Sequence, residues 1–280
     1  MDHSYLEAKR SLDDRSINQN VWNAFRAVAL ELAAKRKKLT LVEIGAGSGS
    51  MVERLSSWML LSELSELTRL SYETVEPQKV YLPTLRARLT RRNELSSFDT
   101  FGGSVEEYLS VKGEGRADLL IAHAVLDLFS APQAAELSAK MTAPEGVLYA
   151  TITFDGESYF EPVADEELDM RVRRAYHQSM ARDGVLGAGF GRKLLTELPR
   201  RGLGIVEAGS SDWILMPREG AYYPREGEFL KAILSMVESA VAEMVTEEER
   251  ERWLRHRLRQ LEAAELIYIA HQLDILARKG

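Results

Sequence analysis

LTLVEIGAGSG, residues 39–49, is the stretch that decides the fold. Leu39–Ile44 is a short apolar run rich in branched side chains, which predicts a buried strand. It leads directly into Gly45, Gly47 and Gly49, and residues 50–67 beyond them read as helix. Glycine turns sharply and lets the backbone approach a ligand with no Cβ in the way. The helix that follows aims free N–H groups at the turn, so a nucleotide-like cofactor can sit there.

On either side of this stretch the chain alternates. Val21, Trp22, Phe25, Val28, Ala29 and Leu32 recur at helical spacing and predict an amphipathic helix before the strand. After it, LSYETVE (70–76) reads as a strand stopped by Pro77, residues 78–95 as helix, and Phe98–Gly103 as a short extended stretch. ADLLIAH (117–123) is a strong strand, residues 131–141 a helix, and GVLYATITF (146–154) the best strand of all. Strand and helix in alternation predict a parallel sheet covered on both faces. Beyond Phe154 the pattern changes. Residues 156–185 surround a predicted helix, 186–192 form a glycine-rich loop, and 203–216 and 265–277 read as strands separated by a helical stretch at 225–263.

The spacing of the glycines narrows the cofactor. A dinucleotide fingerprint is G-x-G-x-x-G, and its third glycine would fall on Ser50. The run Glu43, Gly45, Ala46, Gly47, Gly49 instead resembles the first motif of the class I S-adenosylmethionine-dependent methyltransferases. The resemblance implies that this turn lies beside the methionine and ribose of the cofactor. It implies that Glu43 orders the turn or reaches the cofactor's amino group through water. VEP (75–77) looks like the second motif, with Glu76 accepting the ribose hydroxyls and the residue after it packing on adenine, so that Pro77 belongs to the set. NAD enzymes use a carboxylate at the same strand end. Gly103-Ser104-Val105-Glu106 corresponds to the turn beside the adenine; Ser104 stands where aspartate is commonest, with Glu106 as a substitute. DLLIAHAVLDLF (118–129) resembles the fourth motif and puts His123 at the mouth where methyl transfer takes place. Pro144 and Gly146 match the turn before the fifth strand.

That resemblance spans about residues 39–155. It implies a three-layer sandwich: a seven-stranded, mostly parallel twisted sheet with helices on both faces and a small helical cap. The chain is expected to form one domain. Its core is about 39–155 with 203–218 and 265–280, its amino-terminal segment 1–38, and its cap 156–200 and 220–264. The implied activity is methyl transfer from S-adenosylmethionine to a small-molecule acceptor by direct in-line displacement, leaving S-adenosylhomocysteine. Two other classes stand beside it: a cofactor-binding relative acting through partners, and an NAD-dependent oxidoreductase, which the residue at Ser50 disfavours.

His123 and His177 are the candidate bases. His123 can also touch cofactor or be structural, and His177, beside Tyr176 and Arg173, can face substrate or water. Arg15 and Asn18 precede the first predicted helix, in an amino-terminal segment of the kind that folds over the cofactor, where either could reach its carboxylate. Arg192 can hold an anion or cap the next helix. Tyr159, Phe160, Trp213, Tyr222 and Tyr223 can line a pocket.

Composition sets the outer bounds. There are 36 Lys and Arg against 43 Asp and Glu, a net charge of −7. That balance disfavours nucleic acid as the main substrate, because phosphate contacts call for a basic face. With no cysteine there are no disulfides or thiolate metal sites, and no metal is expected. The first residues are polar and acidic, unlike a signal peptide. No apolar run approaches the roughly 20 residues that span a bilayer. A cytoplasmic enzyme without membrane partners is the expectation, with a dimer face available in the helical carboxyl-terminal third.

Overall fold

The strands are apolar on both faces where the sheet is central. In β1 (Lys38–Ile44) Leu39, Leu41, Val42 and Ile44 are all buried, as are Leu119–Ala122 of β4 (Ala117–His123). Side chains alternate across a strand, so burial of consecutive residues means that helices cover both faces. β1 pairs in parallel with β4 on one side and with β2 (Arg69–Val75) on the other; β2 carries β3 (Leu95–Phe101), also in parallel. β4 pairs in parallel with β5 (Thr142–Glu161). Beyond β5 come β8 (Ile267–Lys279) and β6 (Leu203–Ser210), the last two antiparallel, while β7 (Trp213–Leu215) pairs with β8 off this path. The order is β3-β2-β1-β4-β5-β8-β6. Chain direction across the sheet reverses between β1 and β4, the switch point where open α/β sheets place their ligands. Among the described residues the sheet has eight strands, one more than expected.

This computed structural model describes residues 3–180 and 189–280. They divide into two compact units. The sheet unit is Ile17–Thr153, Gly191–Ser210 and Leu273–Gly280; the second unit is Met1–Ser16, Phe154–Phe190 and Ser211–Gln272. In the sheet unit, α2 (Gln19–Lys35) buries Val21, Trp22, Phe25, Ala29 and Leu32. Asn18 caps it, accepting from the N–H groups of Asn20 and Val21 at 3.0 and 3.2 Å, a contact worth about 1 kcal/mol. Phe25 stacks flat on Tyr149 of β5 with ring centroids 4.2 Å apart. Leu85 and Leu89 of α5 (Leu82–Thr90) and Ala134 and Ala135 of α7 (Ala131–Met141) are likewise buried. The second unit is mainly helical: α1 (His3–Ser16), α8 (Glu166–Met180), α10 (Glu226–Ala240) and α11 (Glu247–Glu262), with β7 and the ends of β5 and β8.

Several elements differ from expectation for local reasons. The helix at 50–67 is two helices, α3 (Ser50–Ser57) and α4 (Leu60–Leu67), broken at Met59, whose φ is +66°. Met51, Val52 and Leu55 are buried, as are Leu60, Leu61 and Leu64, but on one continuous helix these sets would lie half a turn apart. An unbroken helix would bury Met59, which is 58% exposed. The turn expected at Pro144–Gly146 is a bulge inside β5. A Cβ on Gly146 would meet the carbonyl oxygens of Ala117 and Asp118 at 2.8 and 2.9 Å, so only glycine fits. The run 203–216 is β6 and β7, interrupted at Ser211–Asp212, and the stretch 225–263 is α10 and α11, with Thr246 capping the second. Of the glycine-rich loop at 186–192, residues 186–188 lie outside the described residues. Phe190–Arg192 open α9 (Phe190–Arg200), with Arg192 exposed in its first turn.

Candidate functional site

The glycine turn joins β1 to α3. Gly45 donates to the Val75 carbonyl at 2.9 Å, which ties the turn to the end of β2. Gly45, Gly47 and Gly49 have φ of +64°, +51° and +92°, conformations costly for residues with a Cβ. Their surroundings differ. A Cβ on Gly45 would lie 2.5 Å from Val125, and one on Gly49 3.0 Å from Leu85, but one on Gly47 would meet nothing within 4 Å. Gly45 and Gly49 are packed against the protein, and Gly47 presents bare backbone to open space. Ala46 is buried between them.

Glu76 follows β2 and is 4% exposed. One carboxylate oxygen accepts the Gly47 N–H at 2.7 Å and the other accepts the Gln78 N–H at 2.8 Å. Each oxygen keeps a further lone pair. Pro77 between them is exposed in the bend. Glu43, at 2% exposure, accepts from the Tyr72 hydroxyl at 2.7 Å. Burial pushes its carboxyl up to about 8; the Tyr72 bond and the nearby Arg54 charge pull it down by less, and Glu76 adds to the rise.

Ser104 caps α6 (Val105–Lys112). Its hydroxyl accepts the Glu107 N–H at 3.2 Å, and Glu107 accepts the Ser104 N–H at 2.7 Å. The helix-capping role explains a serine at this position. Val105 is buried, and exposed Glu106 accepts from Gln133 at 3.2 Å.

His123 ends β4, half-buried. Its Nδ1 is 2.8 Å from the Thr151 hydroxyl and its Nε2 is 3.5 Å from a guanidinium nitrogen of Arg54. Arginine only donates, so Nε2 is the acceptor here and Nδ1 carries the proton toward Thr151. The lone pair a base would use faces a cation. Arg54, on α3, is 2% exposed and lies over Trp58 at 5.9 Å. Sequence reasoning missed it; the signal was a charge on the apolar stripe of Met51 and Leu55. It also missed the buried set on β2, where Glu73 accepts from Tyr108 at 2.7 Å and from Arg116 at 2.6 Å.

The glycine turn, Glu43, Glu76, Ser104 and His123 belong to the sheet unit; Arg15 and His177 belong to the second unit. Arg15 lies on α1, not in a segment before the first helix. Its guanidinium pairs with Glu226 and lies over Tyr223 at 5.1 Å. His177 on α8 accepts the Ser158 N–H on Nε2 at 3.1 Å and turns Nδ1 to Glu157 at 3.6 Å. Burial, aided by Arg173, holds its pKa below the usual histidine value, against the pull of Glu157. Trp213 donates to Asp13 at 3.0 Å and Tyr222 to the Leu266 carbonyl at 2.9 Å, so both serve packing within that unit. The same unit holds an aspartate–histidine pair not singled out in the sequence, His271 and Asp212 at 2.8 Å.

No protein-family model matches the chain, and no curated protein matches it in sequence. Solved structures do resemble it. A presumptive methyltransferase from Bacillus halodurans superposes with a TM-score of 0.50 at 11% identity, over 91% of this chain and 98% of the other. The YcgJ protein of Bacillus subtilis gives 0.47 at 12% identity, over 92% and 98%. A presumptive sarcosine dimethylglycine methyltransferase from Galdieria sulphuraria gives 0.46 at 13%, over 92% and 86%. The sheet order, the reversal beside β1 and the first of these likenesses agree: the chain has a Rossmann-like methyltransferase fold.

Proposed function

We propose that the sheet unit binds S-adenosylmethionine and that the protein transfers its methyl group to a small-molecule acceptor. The observation that carries this reading is the junction of Glu76 with Gly47. A buried carboxylate holds the bare backbone of the turn by one N–H and keeps lone pairs on both oxygens. Those lone pairs suit a pair of vicinal hydroxyls, and the open face of Gly47 is a cradle that a Cβ would fill. When bound, the cofactor supplies an activated methyl group on a sulfonium.

The chain's own residues hold and orient. Gly45 and Gly49 fix the turn by packing against Val125 and Leu85, and Glu43 braces β1 against β2 through Tyr72. Glu76 accepts the ribose hydroxyls. Ser104 and Val105 set the loop beside the base by capping and burying the start of α6. His123, its ring fixed by Thr151 and Arg54, offers a rigid edge. Positioning of this kind can supply roughly 7–11 kcal/mol of a barrier.

The test is calorimetric titration with S-adenosylhomocysteine, with NAD in parallel. Micromolar binding of the first and none of the second is expected, followed by label transfer from methyl-labelled cofactor to a small acceptor in a metabolite screen. Binding of NAD alone, or of neither, overturns the reading of the cofactor. Binding without transfer to any acceptor overturns the reading of the reaction.

A further inference from the structure

The second unit contains a cavity of its own, about 270 Å³ in volume, between the end of β5, α8, α10 and α11. Tyr159, Phe160, Tyr176 and Trp253 give it aromatic walls. Those walls are held from behind. Arg257, 1% exposed, donates to the Pro162 carbonyl at 2.9 Å and to Gln260 at 2.8 Å, and pairs with Asp169. Trp253 donates to the same Asp169 at 2.7 Å, and Gln260 to Pro162 at 2.7 Å. A buried arginine is costly unless it is paired and hydrogen-bonded, and here that network locks strand, loop and helix around the hollow.

Three charges lining the cavity stand outside the network, and one of them, Glu161, is held by the Val163 N–H at 2.9 Å, which leaves two. The Arg173 guanidinium lies over the Tyr159 ring at 4.8 Å and has no carboxylate partner among the described residues. Glu166 has no hydrogen bond or ion pair among them either. An aromatic hollow with one spare cation and one spare anion complements a molecule that is itself aromatic and dipolar. We propose that this cavity binds a small ring-bearing zwitterion of the aromatic amino-acid class, its carboxylate on Arg173, its ammonium on Glu166 and its ring against the aromatic walls. A lone cation would leave Arg173 unmatched, and a lone anion would face Glu166. This binding stands apart from the methyl-transfer reading and is measured without cofactor.

The experiment is calorimetry on the full chain with L-tryptophan, tryptamine and indole-3-propionate as probes. L-Tryptophan binds, and each analogue lacking one charge binds about ten-fold more weakly, the loss of one charged hydrogen bond. Arg173→Met and Glu166→Gln each weaken L-tryptophan by a similar factor, and each removes the preference over the matching analogue. Met170→Trp, at a cavity-lining position 44% exposed, fills the hollow and abolishes binding. None of the three touches the Arg257 network, so an unchanged melting curve shows the fold intact. Should Met170→Trp melt early, the two charge variants decide. Absence of heat with millimolar L-tryptophan overturns the proposal. So does equal binding of either analogue, or charge variants that bind like the parent.

Discussion

Replacing Glu43 by glutamine should make the protein more stable, and increasingly so as pH rises. Glu43 lies behind the glycine turn, 2% exposed, with its carboxyl pushed up to about 8 from an ordinary 4.5. The unfolded chain releases this proton near pH 4.5 and the folded chain only near 8. Between those values the native state binds the extra proton, so stability is fully present below about 4.5 and is lost as pH climbs through 8. At about 1.4 kcal/mol for each tenfold change in proton affinity, the loss between pH 5 and pH 7 is about 2 to 3 kcal/mol, rising to about 4 at pH 9. Glutamine keeps the shape and the oxygen that accepts from Tyr72, and it has no proton to lose. Urea denaturation of the two proteins at five pH values from 5 to 9 measures the difference. The curves should nearly coincide at pH 5, diverge through neutrality and run parallel above 8, with the slope against denaturant unchanged. A difference that does not vary with pH refutes the reasoning. A parent that gains on the variant as pH rises does so too, because Glu43 would then be ionised and held by Arg54.

The remaining predictions concern the turn and the second unit. Gly47→Ala meets no protein atom but must adopt a φ of +51°, so it costs about 1 kcal/mol of stability. It should weaken S-adenosylhomocysteine at least ten-fold by calorimetry. Gly45→Ala drives a Cβ to 2.5 Å from Val125 and should cost more in the same melt, about 2 to 4 kcal/mol. Glu76→Gln removes a charged acceptor from two backbone N–H groups, costing about 1 to 3 kcal/mol, and should lower cofactor affinity by more than ten-fold. His177 should titrate below 6.5 by NMR. Because its folded pKa is depressed, its stabilisation is present above 6.5 and is lost as pH falls through the folded value, a segment of the pH–stability curve that His177→Gln should flatten.

The parts of the fold legible in the sequence are those where one residue's neighbours in the chain decide its state. Leu39–Ile44 and Leu119–Ala122 are apolar without interruption because both faces of a central parallel strand are covered. The glycines were legible because positive φ leaves few alternatives. The break at Met59 was not, since the sequence around it is continuous helix by propensity, and only the half-turn offset of the buried residues records it. The bulge at Gly146 depends on carbonyl groups of β4, nearly thirty residues away in the chain. Arg54 was overlooked for a related reason. A charge on a helix reads as surface until the partners that justify its burial are known, and His123 lies on another element.

His123 shows how partners alter a role. From the sequence it is a strand-end histidine that can act as a base, touch cofactor or be structural. In the structure both ring nitrogens are engaged, one by Thr151 and one by Arg54. The two carboxylates of the turn separate in the same way. Glu43 is walled in with Tyr72, while Glu76 holds Gly47 and Gln78 and keeps lone pairs to offer. The acid two residues before the first glycine therefore acts as a brace for the sheet, and the acid at the end of β2 is the one equipped to meet a ligand. On this reasoning Glu43→Gln should change stability with pH and leave cofactor affinity nearly untouched, whereas Glu76→Gln should do the reverse in emphasis. A Glu43→Gln protein that loses cofactor as severely as Glu76→Gln would show that the brace is itself part of the binding surface.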